Sequence, residues 1–588
     1  MTRKTLPNVA LFLIFLALTA LFVIDRSPAG SGRGWTSVID SDGRGYYAYL
    51  PALILYGDPG FDSSSAAERR VIGNPDYVPE YLVQAGSHTM NKYFAGVALL
   101  QSPFFCLATG IALVTGSPVD GYSFVFQLMA GLAALFYLLA GLFFLKKILE
   151  YYTSNQAIIA FTLIAFTFGT NLLFYTVHQP LMSHVYSFFA INGFLFFTLR
   201  WMQSSVRRNL ALSGLFLGIV ILVRPVNGII VALVPFLAGS AGQTRACLKE
   251  LFRLSSLKAF LLPMLPVLLI QPLLWFLQTG SAGIWPYQHE GFRFLHPEIV
   301  SVLFGFRKGL FIYTPLTLLS LSAILFLWRK DKFRSFTALL FFLILTWMIA
   351  SWWNWYYGDG FGMRPMIEFY GFFAILFVVT AGRLKPARNA IFLVAALLCV
   401  LLNMIQTWQY SRHILHPFNM DREKYGYVFL KTGDAYRNSL GGSQDIPWYG
   451  TDLSHPCFSY AERQSLLDSA TEFGSGPVLQ ASLLPRLPGR YFISGRFYAK
   501  DLEPGAGNKI MMVVSIFKTD SIRDFWYGFP VNDIPVQDTT RYRTVRFALN
   551  TPVITNRDAL FKIYLWNPAG KKMKAVDFKV DIFAPSAE

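Results

Sequence analysis

"YFAGVALLQSPFFCLATGIALV", residues 93–114, decides the fold of this chain. It is apolar enough to cross a bilayer, and whether it does fixes the side on which every later loop falls. If it does not cross, the clusters Lys146–Lys147, Arg207–Arg208, Arg245 with Lys249 and Arg253, Arg329–Arg334 and Gly382–Arg388 all lie on the side of the N-terminus, as the positive-inside rule requires. If it crosses, all of them are exported. The segment is therefore read as juxtamembrane or re-entrant at the outer surface, interrupted by Gly96, Pro103 and Gly110.

The composition sets the class. With 588 residues, 54% hydrophobic, 16% aromatic and 14% charged, the chain is too apolar for an ordinary soluble enzyme and reads as an integral membrane protein. A net charge of +17 would point to nucleic acid in a soluble protein. Here the Lys and Arg sit in short clusters between apolar runs, and no groove-reading or base-stacking module appears, so no nucleic-acid partner is expected. The run Val9–Ile24 has no small-x-small cleavage pattern before Asp25 and reads as an uncleaved first helix.

Further spans are expected near Tyr122–Leu145, Ala157–Val177, Val185–Met202, Leu210–Leu222, Val226–Ala238, Ala259–Leu277, Leu310–Trp328, Phe336–Ala350, Met366–Ala381 and Ala390–Trp408. This gives about eleven transmembrane helices. The helical domain covers 1–409, with a first external loop 25–121. After a connecting segment 410–475, the region 476–588 alternates apolar and polar residues in "GRYFISGRFYAK", "NKIMMVVSIFK", "RYRTVRFAL", "ALFKIYLW" and "KAVDFKVDIF", which reads as an all-β sandwich. The fold class is thus a polytopic α-helical membrane protein with a C-terminal β-sandwich. Cys106, Cys247, Cys399 and Cys457 fall in different compartments, so no disulfide framework is expected.

Ionisable groups near hydrocarbon are costly unless they serve something, so those at the outer boundary are the candidate site. They are Asp40, Asp42 and Lys92 of the first loop, His178 and His184 in "VHQPLMSH", and Arg224 in "VRPVNG". Later loops add His289 and Glu290 in "WPYQHEGFRF", Arg307 and Lys308 in "FGFRKGLF", and Asn354, Asp359 and Arg364 in "SWWNWYYGDGFGMRP". Each has a plainer reading. Either Asp caps the helix that follows, the two His do not share a helical face and so make a poor zinc pair, and Arg307, Lys308 and Arg364 snorkel at span ends. Arg224, between two apolar runs and followed by Pro, resists such a reading. Together the groups describe a pocket in which cations suit a phosphate, aromatic faces and Asn354 suit a sugar ring, and an acid suits a general base.

The stretches "DSDGRGYYAYLPAL", "MNKYFAGVALLQSPFF", "HQPLMSHVYSFF", "LVRPVNG", "FRKGLFIYTPLTLLSL" and "WWNWYYGDGFGMRPMIEF" resemble, in order, motifs of the GT-C class of integral-membrane glycosyltransferases. In particular they are similar to bacterial relatives of the protein mannosyltransferase and aminoarabinose transferase group, over about Thr5–Trp408. The resemblance implies a polyprenyl-phosphate sugar donor and a catalytic acid in the first external loop, carried onto Asp42 and secondarily Asp40. Many relatives follow an acidic pair directly with aromatics, whereas Gly43-Arg44-Gly45 intervene here, which leaves the choice between the two acids open. The closing stretch "FKIYLWNPAGKKMKAVDFKVDIF" resembles jelly-roll carbohydrate-binding modules, with Trp526, Tyr527 and Trp566 either stacking on a glycan or filling the core.

The expected activity is glycosyl transfer from a polyprenyl-phosphate-linked donor to an extracytoplasmic glycan, lipid or protein, with inversion as the class expectation. Asp42 would be the base, or Asp40 and Asp42 would hold a divalent cation such as Mg or Mn. Lys92, His178, His184, Arg224, His289, Glu290, Arg307, Lys308, Asn354 and Arg364 would bind substrate. The expected location is the bacterial cytoplasmic (inner) membrane, with the site and the β-domain on the periplasmic or extracellular face. The alternative is a transporter or flippase of lipid-linked saccharides, for which paired short, broken spans in corresponding halves are expected and are not read in this sequence, whose ionisable residues crowd one face instead of the midplane.

Overall fold

The computed structural model describes residues 5–27, 34–73, 77, 79–288, 290–518, 523–535 and 538–585. His289 lies outside them. Eight helices are long and apolar enough to cross a membrane: Leu6–Arg26, Gly96–Thr115, Phe124–Leu149, Ser183–Ser204, Leu254–Thr279, Lys332–Ala350, Arg364–Ala381 and Pro386–Ser411. The remaining expected spans are shorter or broken helices. Gln156–Phe168 stops at Gly169 and resumes as Leu172–Val177, and Leu310–Tyr313 is separated by Pro315 from Leu316–Lys330. This breakage is why fewer full-length helices appear than the apolar runs suggest.

Residues 93–114, expected not to cross, differ from that expectation in two respects: their helix is one of the eight long and apolar enough to cross, and it is unbroken. Gly96–Thr115 is a continuous helix through Pro103 and Gly110, not an interrupted segment. Its placement against Phe124–Leu149 is nevertheless partial. Tyr137 Oη donates to Leu100 O (2.6 Å), Gln101 Nε2 donates to Ala130 O (3.1 Å), and the Phe105 and Phe126 rings lie 5.1 Å apart. Numbers rise in one helix as they fall in the other, so Gly96–Thr115 starts beside the middle of its neighbour and climbs to that neighbour's N-terminal end. There the loop after it accepts hydrogen bonds from Tyr47 (Gly121 O, 2.7 Å) and Tyr56 (Asp120 O, 3.2 Å) of the first loop. A Cβ on Gly96 would lie 2.3 Å from the backbone of Val223, so glycine lets this helix start flush against the end of Arg207–Val223.

The first loop is a compact platform. Helices Asp42–Tyr47 and Asp62–Ile72 pack with the hairpin Leu82–Ala85/His88–Asn91. Glu68, 2% exposed, accepts from Tyr81 Oη (2.7 Å) and Arg44 Nη1 (3.2 Å) and ties these pieces together.

The C-terminal part is two packed sheets. One has the strand order Val478–Gln480, Leu560–Trp566, Met511–Phe517, Arg523–Pro530. The other runs Ser443–Gln444, Arg543–Asn550, Phe492–Asp501, Met573–Phe583, Phe458–Leu467, antiparallel except at its first pair. Inward residues such as Phe497, Phe547, Phe561 and Phe578 form its core. The boundary expected at 476 is corrected: Ser443–Gln444 and Phe458–Leu467 already belong to the second sheet. Of the three aromatics, Trp526 is exposed at 38%, Tyr527 packs on the core, and Trp566 donates Nε1 to Glu472 Oε1 (3.3 Å). The four cysteines are free. The sandwich meets the membrane part where Trp353 and Trp448 lie 4.8 Å apart and Tyr356 Oη donates to Asp445.

Candidate active site

The site assembles where the platform meets the broken spans. Helix Asp42–Tyr47 presents Asp42 at its first turn, and no side-chain cap bond is made there. Two glycines set its position. A Cβ on Gly43 would lie 2.7 Å from Leu181 Cβ, and one on Gly45 would lie 2.2 Å from the Tyr93 ring and 2.5 Å from Tyr81 Cβ. The lack of a Cβ at Gly43 and Gly45 therefore lets the helix backbone come down onto the hairpin, where Asn91 Nδ2 donates to Gly45 O (2.7 Å).

Asp42 is held from two sides: Tyr93 Oη donates to Oδ1 at 2.7 Å and Arg364 Nη2 donates to Oδ2 at 3.1 Å. Burial pushes its carboxyl up, but Arg364, the Tyr93 hydroxyl, Lys92 and His184 together hold it below its ordinary value, so it is ionised at neutral pH. The side chain keeps about a third of its surface open (35%), which leaves it reachable. Asp40 does not join it. Its Oδ1 accepts from Arg44 Nη2 (3.3 Å) on an exposed flank, and Arg44 turns its other arm to Glu68.

A second charged group lies alongside. Arg224 has extended backbone (φ −153°, ψ 112°), as suits a residue before proline, and so turns out of helix Arg207–Val223 where the 3-10 helix Pro225–Leu233 begins. Its Nη1 donates to Glu368 Oε1 (2.9 Å), and His184 Nδ1 lies 3.1 Å from that same oxygen. Glu368 is fully buried, whereas the Arg224 side chain remains 22% exposed. His184 Nε2 and Glu368 Oε2 are buried without a hydrogen-bond partner among the described residues. Tyr175 packs edge-on to His184 (4.8 Å) and donates no bond to it; its hydroxyl instead accepts from Phe361 N (3.0 Å), beside Gly360 and Arg364.

The other expected residues divide. Lys92 lies near Asp42 and over the Tyr93 ring (5.3 Å), and Glu290 accepts from Trp353 Nε1 (3.2 Å), its carboxyl raised by burial despite Lys92. Lys308 and Arg307 do not snorkel. Lys308 is 2% exposed and donates to Gly360 O and to Pro417 O (2.6 Å). Burial brings its ammonium down to about 7. Arg307 donates Nε to Phe418 O and lies over the Tyr356 ring (3.3 Å). These two brace the loop that carries Arg364. His178 is placed elsewhere, with Nδ1 2.9 Å from Asp25 Oδ1 beside Phe174. Asn354 Oδ1 is buried and unpartnered among the described residues, near the Trp353 end of the site.

Sequence reasoning missed Tyr93, Tyr175 and Glu368. Glu368 had a readable signal: a lone carboxylate inside an apolar run, four residues after Arg364. Among the described residues no three or more His, Cys, Asp or Glu converge to hold a metal ion, and Asp40 and Asp42 take separate partners. In this structure the two acids share no partner.

No family model matches the chain, and no curated protein matches it. Solved structures do resemble it, each a GT-C glycosyltransferase. One is ArnT from Cupriavidus metallidurans bound to undecaprenyl phosphate, at 13% identity and TM-score 0.42 over 68% of this chain and 64% of that one. Another is the Archaeoglobus fulgidus oligosaccharyltransferase in complex with Zn and sulfate, at 11% and 0.36 over 72% and 58%. A third is the arabinosyltransferase EmbB from Mycobacterium smegmatis, at 11% and 0.37 over 98% and 64%. The chain spans less than two thirds of the length of each of these structures.

Proposed function

We propose that this protein is a membrane glycosyltransferase that moves a sugar from a polyprenyl-phosphate donor to an acceptor hydroxyl on the non-cytoplasmic face, with inversion. The observation that carries the reading is the reachable, ionised Asp42 held between Tyr93 and Arg364, with Arg224 beside it. In the reaction the acceptor oxygen forms a bond to the anomeric carbon while the bond from that carbon to the phosphate oxygen breaks. Asp42 takes the acceptor proton, and the polyprenyl phosphate leaves with the electron pair. A phosphate leaving group needs charge neutralisation more than protonation, which Arg224, Arg364 and Lys92 supply from fixed positions. Asp40, turned to Arg44, has no part in this step. No step is routed through a cation.

This arrangement also accounts for an acid beside an apolar segment. The donor's own lipid keeps its reactive carbon at headgroup depth, and the first-loop platform brings the base to that depth. The test is transfer by purified protein in nanodiscs from a panel of polyprenyl-phosphate sugars, with and without EDTA. Sugar appearing on an added acceptor, with polyprenyl phosphate released, supports the reading. Movement of intact lipid-linked saccharide across liposomes without transfer would replace it with the transporter alternative.

A further inference from the structure

The outward side of the five-stranded sheet sets three cations in one row. Arg546 stands directly opposite Arg496, and Arg496 directly opposite Lys579, on three neighbouring strands. All three are exposed, while Phe497, Phe547 and Val580 next to them point into the core. Neighbouring strands lie about 4.8 Å apart, and like charges facing each other across strands destabilise a sheet. None of the three has an ion pair or a side-chain hydrogen bond among the described residues. A single Arg or Lys on an exposed strand needs no explanation, but three abreast with no ion pair among the described residues do.

Lys579 reaches this row through a β-bulge. The register Val576↔Tyr498 would continue with Phe578 opposite Arg496, but it shifts between Val576 and Lys579, where Asp577 adopts φ 52°. The extra residue sends Phe578 inward (1% exposed) and Lys579 outward beside Arg496. The row lies in a groove of about 760 Å³ whose lining also offers Ser459, Ser494 and Gln444. Two carboxylates share the lining without pairing with the row: Asp581 accepts from Ser459 Oγ (2.6 Å), and Asp445 from Tyr356 and from Asn550 Nδ2 (3.3 Å), which leaves the three cations in excess.

We propose that this groove binds an acidic polysaccharide, with carboxylate or phosphate groups of successive units meeting Arg546, Arg496 and Lys579. Hydroxyl and amide groups suit sugar hydroxyls. Among the described residues that line the groove neither aromatic is an open platform of the kind that stacks nucleobases, since Phe547 is in the core and Tyr460 is half-buried with its hydroxyl on Glu462 (3.1 Å). The groove ends at Asp445, whose partner Tyr356 belongs to the loop that leads to Arg364, so a bound polymer would be held next to the membrane part. The inference stands independently of the transfer reading.

The test is direct binding to the full chain in phosphatidylcholine nanodiscs. The probes are an oligogalacturonate, a phosphomannan, neutral dextran and a single-stranded oligonucleotide. The acidic glycans are expected to bind, the carboxylate and phosphate arms telling which group is preferred, and to weaken as salt is raised. The triple variant Arg496→Gln, Arg546→Gln, Lys579→Gln is expected to lose about tenfold or more in affinity, because charge-assisted bonds are the strong ones. Its thermal unfolding temperature is expected to hold or rise, since like-charge repulsion is removed. Equal binding of dextran, tighter binding of the oligonucleotide, unchanged glycan affinity in the variant, or a loss of affinity accompanied by lowered thermal stability would each overturn the proposal.

Discussion

At Asp42 one oxygen faces a neutral hydroxyl and the other a guanidinium, and the two contacts have different consequences. Arg364 is the strongest influence holding the carboxyl low, so in the wild-type protein the acid limb of turnover should fall below the ordinary Asp value of about 4. Arg364→Gln is expected to move that limb upward by about 1–3 units, read from the pH profile of kcat/KM. Tyr93 depends on glycine: Gly45→Ala would drive a methyl into its ring, and turnover should fall while the fold persists, checked by activity alongside thermal unfolding. Lys308 carries a separate pH signature. Its ammonium titrates near 7 in the folded protein but at 10.5 when free, so between those values the unfolded chain binds the extra proton and stability rises with pH. Lys308→Gln is expected to flatten that rise in thermal unfolding measured across the window.

At the scale of elements, the site depends on helices that break where they carry charge. Arg224 sits at a proline break, and Arg364 opens the 3-10 turn Arg364–Phe369, so each guanidinium turns toward the platform instead of lying along a helix. Glu368 couples two elements by bonding Arg224 and lying against His184. Removing one partner of a buried ion pair leaves the other charge uncompensated, at about 3–5 kcal/mol. Glu368→Ala should therefore lower the unfolding temperature strongly, and the double change Glu368→Met, Arg224→Met should recover much of it without recovering activity. Hydropathy made the spans legible, because each expected apolar run contains a helix. It could not place the breaks, since a run such as Ala157–Val177 looks uniform while the chain stops at Gly169. The residues of the site were legible one at a time, as charges near an apolar boundary. Their pairing was not, because Asp42 meets Arg364 across 322 positions of sequence and only tertiary structure brings them together. Strand Phe458–Leu467 escaped notice because its alternation is diluted by polar residues at an edge position.

For the whole molecule, two bodies meet at one seam. The helical part carries the acid and its arginines, and the sandwich meets it at Trp353–Trp448 and Tyr356–Asp445. The charge pattern predicts that Ser154, beside the Lys146–Lys147 cluster, faces the cytoplasm, while Asp558 in the sandwich faces outward. With the native cysteines replaced, Ser154→Cys should be labelled by an impermeant thiol reagent only after membranes are opened, and Asp558→Cys in intact cells. The most direct measurement of the central claim compares Asp42→Asn, Asp40→Asn and wild type in one experiment, with donor binding and single-turnover sugar transfer both followed in nanodiscs. The account predicts that Asp42→Asn binds donor as wild type does but transfers about 10²–10⁴-fold more slowly, and that Asp40→Asn transfers normally. Wild-type transfer by Asp42→Asn would contradict it.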